Sequence, residues 1–164
     1  RHFGVSNQNP MMMELLKTAV KQPLKVNQLQ LSAAFTPSFE AGFHVNMEGP
    51  KAAVRDGSVF EYCRLNDTVI QAWSVLQHGY FKGNFVGKEE FEALNHVLND
   101  LAKKYQVTPT AIALAWVLRY PGKMQAVIGT TNPQHVLEAG KAATVTLTRK
   151  EWYQIYLAAG NDLP

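Results

Sequence analysis

The sequence holds one cysteine, Cys63, in 164 residues. A single thiol excludes an internal disulfide framework and any zinc site built from cysteines. It fits a reducing compartment, and the cytoplasm is the expected location. Long charged runs are absent as well. No basic run exceeds two residues, as at Lys103-Lys104 and Arg149-Lys150. The net charge of +3 and a pI near 9.0 therefore give no support to nucleic-acid or polybasic membrane binding. The longest apolar run, Ala111 to Leu118, is far too short to span a bilayer. There is no P-loop, no Gly-x-Gly-x-x-Gly fingerprint, no Ser-His-Asp order and no paired-carboxylate motif. The histidines at 2, 44, 78, 96 and 135 show no metal-ligand spacing. The amino terminus carries no signal-peptide pattern. It opens on Arg1-His2-Phe3-Gly4-Val5, which reads as a strand already under way, so an upstream segment is expected to be missing.

What is present is ordinary globular composition, 46% hydrophobic and 18% charged. A chain this long buries roughly two-thirds of its unfolded surface. Period and punctuation predict strands at 2–6, 26–31, 68–73 and 125–129. The first is read as buried. Asn9-Pro10 predicts a helix to about Val20, with Met12, Leu15, Leu16 and Ala19 on one face and the Met11–Met13 run as core filler. Further helices are predicted at 58–66, 88–105, 109–118, 133–143 and 149–159. Cys63 is read as a small packed hydrophobe, His96 as solvated, and Thr148 with Glu151 as a capping box. A long irregular loop is expected at about 32–57. The alternation makes four β-α units on a parallel sheet with right-handed crossovers. A small doubly wound sheet and part of a (β/α)8 barrel both fit. A complete barrel takes about 250 residues.

The strongest internal signal is an echo. Gly4-Val5-Ser6-Asn7 and Gly129-Thr130-Thr131-Asn132 each end a strand, and each leads into a helix opened by Asn-Pro. Small hydroxyl and amide side chains at strand carboxyl ends sit where α/β proteins bind ligands. Backbone N–H groups and a helix start suit a phosphate around 129–135. The same residue types also serve as ordinary caps and turns. Trp73 closes the third strand as either core or a stacking platform for a flat ring. Gln28 lies on a strand expected to be largely buried, so its amide either satisfies backbone or reads a ligand. His135 falls in the first turn of a helix, where a cation fits best beside a bound anion.

These strings resemble the aldo-keto reductases. His2-Phe3-Gly4-Val5-Ser6-Asn7 resembles the family's fifth strand, and Asn27-Gln28 with Gln30 and Ser32 its sixth. Ala72-Trp73-Ser74-Val75-Leu76 with Gly79 resembles the seventh. Ile112 to Leu118 and Val127 to Pro133 resemble its buried helix and eighth-strand phosphate loop. The tail, Trp152 to Pro164, looks like a bacterial oxidoreductase branch. The resemblance implies the C-terminal half of a (β/α)8 barrel, four β-α units plus a C-terminal helix, as one partial domain over 1–164. It implies an NADPH-dependent carbonyl reductase, with NAD possible. Ser6, Asn7 and Gln28 would hold the nicotinamide carboxamide, and Trp73 would stack on the ring. Ser74 and Leu76 would touch the pyrophosphate. Gly129, Thr130, Thr131 and Asn132 would take the adenosine phosphate end, His135 the position of a usual Arg for the 2′-phosphate, and Glu138 the adenine.

Three departures from the family pattern stand out. Val75 replaces a usual Pro and is expected to loosen its loop. Gln77 stands where Gly is common. His135 lacks the bidentate fork of Arg, which weakens the case for NADPH over NADH. Gly129 stands near where some members place a Lys. The family's catalytic Asp, Tyr, Lys and His, in which Tyr protonates the carbonyl oxygen, match no motif here. No catalytic residue is assigned. A small-molecule carbonyl substrate is expected for the full-length parent. The unpaired edges at 2–6 and 125–129 are expected to meet the missing half or a second copy. A nucleotide- or flavin-binding module of another parallel fold, and a non-catalytic interaction domain, are the other readings.

Overall fold

The order of elements follows the local signals closely. The chain runs β1 (Phe3–Ser6), α1 (Pro10–Lys17), β2 (Leu24–Gln30), α2 (Ser58–Leu65), β3 (Val69–Trp73), α3 (Glu92–Tyr105), α4 (Pro109–Leu118), β4 (Met124–Ala126), α5 (Pro133–Gly140) and α6 (Arg149–Ala158). This is a computed structural model, and it describes residues 2–38, 40, 58–79 and 82–163. The loop expected at 32–57 lies mostly outside the described residues.

Three helices start where a capping side chain precedes a proline. Asn9 accepts from the Met12 N–H, Thr108 from Ala111 and Asn132 from Gln134. Proline sits where a backbone donor would have no partner, and the cap satisfies one that remains. The Thr148–Glu151 capping box opens α6 as predicted.

The strands form one parallel sheet in the order β1-β2-β3-β4. On one face, Leu29, Ile70 and Ala72 meet Phe60, Cys63, Leu98 and Ile112 in the main core. Every residue of α4 from Ala111 to Val117 is buried. Cys63 is fully buried there, and burial pushes its thiol pKa up. The other sheet face carries polar side chains. In register, Ser6 stands beside Gln28, Gln28 beside Gln71, and Gln71 beside Gln125.

Several expectations are corrected. β1 is exposed rather than buried, because among the described residues it pairs only with β2. Of the Met11–Met13 run only Met13 is core; Met11 is 73% exposed. The expected apolar face of α1 is turned outward at Met12 and Leu15. That helix ends at Lys17, whose ammonium binds Glu14 and the Tyr62 hydroxyl and ties α1 to α2. β4 stops at Ala126 instead of running to 129, since β3 offers it partners only at Ile70 to Ala72. His96 is exposed, as read, beside Asp100.

Candidate functional site

All four strands point their carboxyl ends the same way, so the residues after Ser6, Gln30, Trp73 and Ala126 share one end of the sheet. Two of these exits turn sharply. Asn7 has φ 55° and Ser74 φ 52°, both in the left-handed region. Asn tolerates that conformation well, whereas for Ser it costs about 1 kcal/mol or more. The Asn7 N–H and the Ser6 hydroxyl both donate to the Gln28 carbonyl, at 2.9 and 3.2 Å. The first sequence-predicted group, Ser6, Asn7 and Gln28, is thus brought together.

The Gln28 side chain meets a neighbouring side chain rather than backbone. Its amide donates to the Gln71 side chain at 3.0 Å, and the Gln71 amide donates to Gln125 at 2.8 Å. A ladder of amides crosses three strands on the face away from the helices. Trp73 lies on that face too, half-buried and level with Gln30, and takes no part in the helix-side core. Gln30 and Gln77 keep one buried amide atom each, Nε2 and Oε1, without a hydrogen-bond partner among the described residues. Buried polar atoms of this kind are costly and are best explained by a ligand or water.

The segment after β3 builds a wall. Val75 is buried in the core and anchors this segment. The Gln77 N–H donates to the Ser74 carbonyl, and the Phe85 N–H to Leu76. Asn95, buried on α3, then clamps the far side. Its amide donates to the Phe85 and Lys88 carbonyls at 2.9 and 3.0 Å and its oxygen accepts from Gly87 at 2.8 Å.

Between this wall and α5 lies a cavity of about 310 Å³. Leu76, Gly129, Thr130, His135 and Glu138 line it together with Asn84 and Val86. The Thr130 hydroxyl lies 3.4 Å from His135 Nδ1, and Glu138 accepts from Gln134 at 3.0 Å. Thr131 and Asn132 are exposed and do not line the cavity. The Asn132 side chain is engaged as the helix cap, accepting from the Gln134 N–H. A cavity of this size suits part of a nucleotide. Its hydroxyl, imidazole and carboxylate suit a sugar and base.

The family model for the aldo/keto reductase family matches residues 1–158. The chain belongs to the aldo/keto reductase family. It is 32% identical over 162 residues to a 6-dehydroglucose reductase of Agrobacterium fabrum, covering 98% of this chain and 47% of that protein. It is 29% identical to Oxidoreductase YdhF of Escherichia coli, covering 100% and 49%. The chain spans about half the length of the curated relatives it matches. Among solved structures, an aldo-keto reductase of Klebsiella pneumoniae in complex with NADPH aligns with a TM-score of 0.67 at 20% identity, over 94% of this chain and 46% of that one. A thermostable aldo-keto reductase in complex with epalrestat aligns with a TM-score of 0.68 at 21% identity, over 96% and 48%. The fold is that of half a (β/α)8 barrel.

The sequence reading missed Gln71, Gln125, Asn84 and Asn95. Asn95 had a signal: it falls four residues after Phe91 and three before Leu98, on the apolar face of its helix. No helix among the described residues is long and apolar enough to cross a membrane.

Proposed function

We propose that this chain is the cofactor-binding half of an NADPH-dependent carbonyl reductase, cytoplasmic in location. The observation that carries the reading is the cavity at the carboxyl end of the sheet, lined by Leu76, Gly129, Thr130, His135 and Glu138. The glycine-hydroxyl-amide echo and the family resemblance both lead to that same loop. When bound, the nicotinamide cofactor supplies the hydride that reduces an aldehyde or ketone.

This chain's own residues bind and orient. Thr130 and His135 face the adenosine phosphate end, with Thr131 and Asn132 beside them. Glu138 meets the adenine, and Leu76 with Ser74 borders the pyrophosphate. Trp73 presents its ring to the nicotinamide. Ser6, Asn7 and Gln28 receive the carboxamide, with Gln28 held in place by Gln71. Gln30 Nε2 and Gln77 Oε1, without a partner among the described residues, fit a polar group arriving at that end of the sheet. The proton donor belongs to the catalytic Asp, Tyr, Lys and His set, which this chain does not supply. A small carbonyl compound is the substrate, in keeping with the relative that is a 6-dehydroglucose reductase.

The test is a pair of measurements on the purified chain. NADPH binds saturably by calorimetry, and Thr130→Glu, which sets a carboxylate against the phosphates, abolishes it. The same material does not oxidise NADPH in the presence of a simple aldehyde. Steady oxidation contradicts the division of labour; absence of NADPH binding contradicts the site.

A further inference from the structure

Arginine is scarce in this sequence, at positions 1, 55, 64, 119 and 149 only. Three of the five, Arg64, Arg119 and Arg149, line one cavity of about 370 Å³. Among the described residues no lysine lines it. The cavity lies between the carboxyl-terminal turn of α2, the segment leading into β4 and the start of α6. It is therefore at the opposite end of the sheet from the cofactor cleft, and shares no lining residue with it.

The guanidinium groups are set in place by their surroundings. Arg119 donates through Nε to the Leu147 carbonyl at 2.8 Å, which leaves its two terminal nitrogens for another acceptor. Arg149 lies over the Tyr153 ring, 5.7 Å from its centroid. Tyr120 packs edge-on against Phe60; burial, with Glu61 close by, pushes its hydroxyl pKa up, and the hydroxyl is hydrogen-bonded with Arg64 and Glu61, which fixes both at the cavity wall. Among the described residues Glu61 is the one carboxylate in the lining, against three guanidiniums. The remaining walls are flat and apolar, from Tyr153, Pro121 and the edge of Trp152. Guanidinium forks match planar carboxylates two bonds at a time, which lysine cannot do. Aromatic walls favour a flat ligand.

We propose that this cavity binds a small planar organic anion, an aromatic or unsaturated carboxylate. The site does not depend on the cofactor reading.

The experiment is calorimetry and NMR on the whole chain with benzoate, benzamide and inorganic phosphate as probes. Benzoate is expected to bind saturably and to shift the ring signals of Tyr120 and Tyr153, with benzamide and phosphate much weaker. Arg119→Gln and Arg64→Gln each weaken benzoate about tenfold or more, as loss of a charge-assisted hydrogen bond does. Arg149→Lys, which keeps the charge and loses the fork, also weakens it, and thermal melts show whether each variant is folded. Equal binding of benzoate and benzamide overturns the proposal. So does phosphate binding as tight as benzoate, and so does benzoate affinity unmoved in folded arginine variants.

Discussion

Trp116 and Trp152 hold each other by mirrored hydrogen bonds. Each indole N–H donates to the other residue's backbone carbonyl at 3.0 Å, and the rings stack with centroids 4.8 Å apart and planes within 8°. Tyr156 stacks on the far side of Trp152 at 5.6 Å. This pair fastens α6 to the all-buried helix α4. Trp116→Phe removes one indole donor while the Trp152 carbonyl keeps its helical N–H, so a loss of about 0.5–1.5 kcal/mol is expected in urea unfolding. Each variant removes its own hydrogen bond and both alter the same ring stack, so the double variant with Trp152→Phe is expected to depart from the sum of the two singles.

Glu151 links the same helix to α3. Burial opposes its ionisation. The Lys104 ammonium at 2.6 Å, the Thr148 N–H and hydroxyl and the Tyr105 hydroxyl outweigh burial and hold its carboxyl at about 2, below the ordinary 4.5. A carboxyl depressed by folding contributes stability that is complete above its unfolded value and lost as pH falls through its folded one. Thermal midpoints measured from pH 7 to pH 2 should therefore fall between about 4.5 and 2 in the parent. In Glu151→Gln the midpoint is lower at pH 7, and its gap from the parent narrows across that window.

Asn95 positions the wall of the proposed cofactor cavity without lining it. Asn95→Ala leaves the Gly87 N–H unmet and strips the Phe85 and Lys88 carbonyls of their second donor, at a cost of about 1–3 kcal/mol. Faster hydrogen exchange at Gly87 and weaker NADPH binding are expected together. A stability loss with NADPH affinity unchanged assigns Asn95 to the fold alone.

His135 stands at the cavity where an arginine fork would favour a phosphate ester. His135→Arg should raise the preference for NADPH over NADH about tenfold, read as the ratio of the two dissociation constants. An unchanged ratio moves the 2′-phosphate elsewhere.

The two outer β-α units expose their apolar residues. Phe3, Met12 and Leu15 lie on the β1 side, and Val127, Val136 and Leu137 on the β4 side. Contiguous apolar surface at an unpaired strand edge favours association. Sedimentation of the chain should show self-association that Leu15→Glu with Leu137→Glu reduces. A stable monomer of the parent contradicts it.

Much of this was legible because it is local. Asn9-Pro10, Thr108-Pro109, Asn132-Pro133 and the Thr148–Glu151 box each act within one turn, so the helix starts could be read directly. Gly129, Thr130 and His135 lie within seven residues of one another and are read together from the pattern, while Glu138, which lines the same cavity, comes only from the family resemblance. The Gln28–Gln71–Gln125 ladder depends on strand register, which no short window contains. The inward-facing Asn95 needed the loop at 85–88 to fold back on it. Burial of Phe3 to Ser6 was misjudged because composition reports apolar residues, while burial depends on a neighbouring strand.

The central claim, a cofactor site at the carboxyl end of this sheet, is tested most directly by amide NMR of the isotope-labelled chain titrated with NADPH. Saturable shifts at Ser6, Asn7, Gln28, residues 73–76 and residues 129–138 are predicted. Shifts confined to residues 119–121 and 149–153, or none in a folded sample, would contradict the account.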